Sequence, residues 1–201
     1  MLTAQRASSS KDWFGSDDKF DMLYPEPVQL LTQRHWTPLK VSRTAASFLA
    51  AERGVKILDI GSGVGKFCLG AAFHSPNAFY YGVEQRKSLV YNAETARQIL
   101  RLENVSFIHG NFTQLNLNDY DHFYFYNAFY ENLSYTDKID HDIVYSGELF
   151  NYYNRYLYNQ LHQKPSGTRL ATFHSLEDEI PQGYRVVGSE FDNLLKFWIK
   201  E

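Results

Sequence analysis

The sequence predicts an α/β fold, a mostly parallel sheet with helices on both faces, built as one domain. Three observations predict it. Strand-length apolar runs alternate with helix-length amphipathic segments from residue 55 to residue 174, the pattern of successive βαβ units. The run "VKILDI" (55–60) passes directly into the glycine loop "GSGVG" (61–65). In an open parallel sheet, ligands sit at such a loop, outside the carboxyl ends of the strands. The last two strand-like runs have no helix-sized segment between them, which predicts an antiparallel pair.

Taken in order, residues 1 to about 20 are polar, rich in Ser and Asp, and without a sustained period. They read as a disordered tail or, alternatively, as a segment that orders over a ligand. The domain then runs from 21 to 201, with residues 21–54 as a helical lead-in. "YPEP" (24–27) reads as an extended turn. Val41, Ala45, Phe48 and Leu49 recur at helical spacing over 39–53, with Pro38 suited to the first turn and Gly54 to the end. Strands follow at 55–60, 78–84, 105–110, 122–127 and 168–174, and a final pair at 184–191 and 193–200. Helices are expected at 65–73, at 87–102 (Leu89, Ala93, Ala96 and Leu100 on one side) and at roughly 145–161.

Composition narrows the function classes. With 201 residues the chain can bury a sizeable core. A formal net charge of −3 does not recommend a nucleic-acid partner, which is therefore not expected. The single Cys68 rules out an internal disulfide and a multi-cysteine zinc site, and fits a reducing cytoplasm. The seven histidines show neither H-x-H nor H-E-x-x-H spacing, so no metal is expected. No basic-then-apolar leader opens the sequence, and no run approaches the ~20 apolar residues of a membrane span. These features predict a cytoplasmic protein.

The glycine loop carries the chemistry. Its spacing is G-x-G-x-G rather than the G-x-G-x-x-G of dinucleotide sites, and it lacks the G-K-[ST] ending of triphosphate loops. Asp59, two residues before Gly61, is a poor neighbour for a pyrophosphate and a good one for a cationic amino group. Glu84 ends the second strand, 19 residues beyond Gly65, where a carboxylate can accept from both ribose hydroxyls. Together they describe a nucleoside with an amino-acid tail, S-adenosylmethionine.

"DIGSGVGKF", "YYGVE", "AETARQ", "GNF" and "NAFYEN" resemble the class I S-adenosylmethionine-dependent methyltransferases. Within that superfamily the wording is most similar to the Dot-type histone-lysine methyltransferases, over roughly residues 55–131. The resemblance implies a Rossmann-like sheet of seven strands in the order 3-2-1-4-5-7-6, the last strand antiparallel. It places Asp59, Gly61, Ser62, Gly63 and Gly65 around the methionine and ribose, and Glu84 on the ribose hydroxyls. Asn111 and Phe112 fall at the adenine, Asn111 replacing the acid of the family's G-D-F. Asn127, Phe129 and Tyr130 fall in N-A-F-Y, similar but not identical to the family's asparagine–phenylalanine box N-F-A-F, at the end of the fourth strand. There Asn127 would meet the cofactor and hold an amine by its amide oxygen, while Phe129 or Tyr130 walls the methyl path. Glu131 is a further candidate at that strand end.

Upstream, Thr37 is a candidate partner for the cofactor's carboxylate and Trp36 a candidate cover. Tyr145, Tyr152, Tyr153, Tyr156 and Tyr158 read as a half-buried helix face before an aromatic channel. Cys68 reads as a small core residue. The implied reaction is methyl transfer, to a protein lysine by the Dot-type wording. A small molecule or an RNA base is the alternative acceptor, and a non-catalytic cofactor-binding module is a third reading.

Overall fold

The computed structural model describes residues 10–175 and 177–201. One seven-stranded sheet runs in the order β3-β2-β1-β4-β5-β7-β6. Its strands are β1 (Lys56–Ile60), β2 (Phe79–Glu84), β3 (Val105–His109), β4 (His122–Tyr126), β5 (Arg169–Phe173), β6 (Tyr184–Glu190) and β7 (Leu195–Lys200). The first five are parallel, and β7 pairs antiparallel with both β5 and β6. The order and the reversed strand are those the sequence implied.

Side chains alternate across a strand, and both faces of this sheet are apolar. Ile57, Tyr80, Val105, Tyr124 and Ala171 pack beneath α5 (Leu39–Leu49), α6 (Lys66–His74) and α7 (Lys87–Leu100). Leu58, Ile60, Val83, Phe123, Phe125 and Leu170 face α8 (Gly147–His162) through Tyr153, Leu157 and Leu161. Ser146 starts α8 by accepting from the Leu149 N–H, an N-cap. α5 stops at Leu49, ahead of the glycine that was expected to end it; Gly54 still takes a left-handed φ of 79°.

The N-terminal segment departs most from the sequence expectation. Residues 1–9 of the expected tail lie outside the described residues. Residues 10–20 carry α1 (Ser10–Trp13) and most of α2 (Asp17–Asp21), followed by the single turns α3 (Glu26–Gln29) and α4 (Thr32–His35). α3 occupies part of the stretch read as an extended turn. Isolated anchors hold this segment. Phe20 is fully buried, Phe14 stacks on Phe73 with centroids 3.9 Å apart, and the Tyr24 hydroxyl donates to the Val64 carbonyl at 2.9 Å. Such spacing leaves no period to read.

Chain direction sets the functional edge. β1, β2 and β3 step one way and β4 and β5 the other, so the order reverses between β1 and β4. Ile60 lies level with Val83 and Phe125, which aligns the strands' carboxyl ends at that switch point.

Candidate active site

A cavity of about 450 Å³ opens at this edge, walled by Gly61 and Gly63 after β1, Glu84 at the end of β2, Asn127 after β4 and His174 after β5. The three loop glycines have φ of 76°, 54° and 79°, the left-handed region that non-glycine residues rarely adopt. They differ in what surrounds them. A Cβ on Gly61 would lie 2.4 Å from the Ala128 Cβ, and one on Gly65 would lie 2.3 Å from Phe107, whereas nothing approaches within 4 Å at Gly63. Gly61 and Gly65 thus answer to the protein's own packing, while Gly63 faces open space.

Hydrogen bonds fix the loop. The amides of Gly61 and Ser62 both donate to the Val83 carbonyl at 3.0 Å, and the Gly63 amide donates to Glu84 Oε2 at 3.1 Å. Glu84 is 6% exposed. Burial raises its pKa above the usual carboxylate range, opposed by the backbone and guanidinium of Arg86. Asp59 lies deeper, bonded by the Cys68 thiol at 3.6 Å, and burial pushes it up to about 8. A cationic group beside it would offset that burial.

Asp59, Ser62 and Thr37 line a small adjoining cavity of about 30 Å³, bounded by Trp36 and Lys66. Thr37 shares a hydrogen bond of 3.0 Å with the Tyr124 hydroxyl. Lys66 is 3% exposed, with Asp17 and Asp21 at 2.7 and 2.6 Å and the Trp36 ring 5.4 Å away. The N-terminal segment therefore forms a wall over the glycine loop.

At the end of β4, Asn127 has φ 44°, and its buried Oδ1 has no hydrogen-bond partner. An unpaired buried carbonyl is costly, and this one belongs to a cavity-lining residue. Tyr130 lines the same cavity, its hydroxyl pKa pushed up to about 12 by burial and then by Glu179. Phe129, expected beside the methyl path, instead turns into the core. It stacks on Phe112 at 5.0 Å and, with Phe112, borders a crevice of about 40 Å³ that Gly61 and Glu84 also line. Asn111 is engaged within the fold. It caps the 3-10 turn 112–114 through Thr113 and donates to Tyr153 at 2.8 Å and Gln85 at 3.1 Å.

Sequence reasoning missed several site residues. Arg86, 5% exposed, joins Glu84, Glu131, Asp140 and Tyr145. Its nearness to Glu84 in "VEQR" was the available signal. His174, Tyr126 and Tyr135 also line the cavity. His174 has φ 57°, stacks on Tyr126 at 5.6 Å, and has its pKa lowered by burial. The tyrosines of α8 build no channel. Tyr153 packs on Phe112 at 5.6 Å and Tyr156 donates to the Thr113 carbonyl at 3.0 Å, while Tyr152 is exposed. Among the described residues no group of three or more metal-ligating side chains occurs, and no helix is long and apolar enough to cross a membrane.

Residues 51–145 match a family model described as a methyltransferase domain. A solved structure of TrmN from Thermus thermophilus is similar at TM-score 0.59 and 17% identity, over 86% of this chain and 51% of that one. An RNA methyltransferase from Salinibacter ruber, solved in complex with S-adenosyl-L-homocysteine, is similar at TM-score 0.54 and 17% identity, over 88% of this chain and 92% of that one. The chain has the Rossmann-like fold of the class I methyltransferases.

A 54-residue stretch is 46% identical to a tRNA (guanine-N(7)-)-methyltransferase of Synechococcus sp. (strain JA-3-3Ab). That stretch covers 27% of this chain and 23% of the relative, so the likeness spans about a quarter of the relative's length. These likenesses support the superfamily and not the Dot-type wording. Gly61 and Gly63 of the glycine loop and the acid ending β2 line one cavity. The net charge of −3 is a whole-chain average and does not describe a local surface.

Proposed function

We propose that the chain is an S-adenosylmethionine-dependent methyltransferase whose acceptor is a base in RNA. The observation that carries the cofactor is the convergence, on one cavity, of the open face at Gly63 and the Glu84 carboxylate, with the unpartnered Asn127 Oδ1 left for the acceptor. The 46% identical stretch shared with a tRNA methyltransferase supports the acceptor.

When bound, the cofactor supplies an electrophilic methyl group on a sulfonium. Glu84 accepts from the ribose hydroxyls, and Gly63 lets the ligand approach the backbone. Asp59 and Thr37 bound the space for the amino-acid tail. The cavity lining carries Glu84, Glu131 and Asp137 against Arg86, a balance that favours a cationic ligand. Asn127 offers its amide to an N–H of the acceptor and orients it for in-line attack. Tyr126, Tyr130 and Tyr135 give the mouth flat aromatic surfaces on which a base can stack. A ring nitrogen attacks with its own lone pair and needs no general base, whereas a lysine ammonium must first lose a proton.

Methyl-tritiated S-adenosylmethionine, incubated with the purified chain and with RNA, protein and small-molecule fractions, tests this. Label is expected in RNA and should disappear on ribonuclease treatment. Label in the protein fraction would restore the lysine reading, and label in the small-molecule fraction would place the acceptor there. Binding without transfer to any fraction would make the chain a binding module.

Asn127→Gly keeps the left-handed backbone and removes only the amide. It is expected to lower turnover about 100-fold, the cost of a misplaced acceptor. S-adenosylhomocysteine affinity, measured by calorimetry, should stay close to that of the parent. Undiminished turnover would remove Asn127 from the reaction.

A further inference from the structure

We propose that Arg86 is a positioning residue that holds Glu84 ionised and aimed into the cavity, and so sets the pH below which cofactor is no longer taken up. This rests on the reading of Glu84 as the ribose acceptor. The Arg86 amide donates to Glu84 Oε1 at 2.9 Å, and its Nη1 lies 3.4 Å from the same oxygen. Oε2 accepts from the Gly63 amide at 3.1 Å. The rest of the guanidinium is turned away from Glu84: Nε meets both Asp140 oxygens at 3.1 Å, and Nη2 meets Glu131 at 2.5 Å and Tyr145 at 2.6 Å. One cation thus ties the end of β2 to the segment that walls the cavity between residues 131 and 145.

The charges around Glu84 do not balance. Glu131 on the cavity wall acts on it as an acid, with Asp140 and Tyr145 behind Arg86, and Arg86 is the cation that opposes it; Glu84 in turn helps raise Asp59 on β1. Burial and Glu131 favour the protonated acid; Arg86 and the Gly63 amide favour the carboxylate. A protonated carboxyl turns one oxygen into a donor and can no longer accept freely from two ribose hydroxyls.

Arg86→Gln and Glu131→Gln break the same ion pair but change the charge near Glu84 in opposite senses. The affinity of each full-length variant for S-adenosylhomocysteine is to be measured by calorimetry from pH 5 to 8 (an experimental range of about three units, wide enough for shifts of the size neighbouring charges produce). The pH midpoint of binding is expected to rise by about one unit in Arg86→Gln and to fall in Glu131→Gln. Arg86→Lys, which keeps the charge and loses the fork, should stay nearer the parent; if Arg86→Gln does not fold, the fall of the midpoint in Glu131→Gln decides. Midpoints that move in the same direction, or do not move, would overturn the proposal and leave Arg86 a structural tie. Glu84→Gln separates the premise: it should weaken binding at least tenfold and flatten the pH dependence. Parent-like affinity in that variant would remove Glu84 from the ribose site, and the proposal with it.

Discussion

Gly63→Leu is expected to abolish S-adenosylmethionine binding while the protein still folds. The position separates two reasons for having a glycine. At φ 54° an L-residue is strained, at a cost of roughly 1–2 kcal/mol, which a domain stable by about 5–15 kcal/mol survives. Nothing in the protein lies within 4 Å of the added Cβ, so the side chain grows into the cavity and not into the core. Calorimetry should show no heat of cofactor binding, with circular dichroism and the cooperative urea transition retained. Gly65→Ala supplies the contrast. Its Cβ would meet Phe107 at 2.3 Å, so overpacking and backbone strain together should cost about 2–5 kcal/mol, read as a lower urea midpoint. If Gly63→Leu binds with parent affinity, the open face at Gly63 is not where the cofactor lies.

Lys66→Met is expected to be among the most destabilising single changes outside the central core. The methionine keeps an apolar stem against Phe20 and Trp36, whose rings lie 5.6 and 5.4 Å from the ammonium. It leaves the buried Asp21 and the half-buried Asp17 without their cation. Removing one partner of a buried pair typically costs about 3–5 kcal/mol. Asp17 also accepts from the Leu39 amide at the start of α5 at 2.9 Å, so the loss should spread to that helix. The double variant Lys66→Met with Asp21→Asn should recover much of the stability, because no buried charge then stands alone. Urea unfolding of the two single variants and the double gives the coupling directly. A Lys66→Met variant within 1 kcal/mol of the parent would show that the salt bridges contribute little.

What the sequence revealed depends on how far apart the cooperating residues lie along the chain. The strands from Lys56 to Lys200 are legible because each shows its period within five to seven residues. Gly61, Glu84 and Asn127 are legible because all three stand at strand ends, where the chain pattern itself places a site. Helices α1 to α4 are not, since their order comes from contacts such as Phe14 on Phe73 and Asp21 on Lys66. The same holds for Arg86, whose partners Glu131, Asp140 and Tyr145 arrive 45 to 59 residues later. Phe129 misleads for a different reason. An aromatic just beyond a strand can face either layer, and only the stack with Phe112 decides it.

The wall formed by residues 10–37 has a thermal consequence. Lys66 fastens that segment and also borders the small cavity around Asp59, so the docking of the segment and the shape of the tail site are one equilibrium. On warming, a segment held by a few anchors should release before a seven-stranded sheet does. The temperature at which the protein stops holding its cofactor would then lie below the temperature at which it melts. Saturating ligand would draw the two together, because binding adds its free energy to the docked form alone.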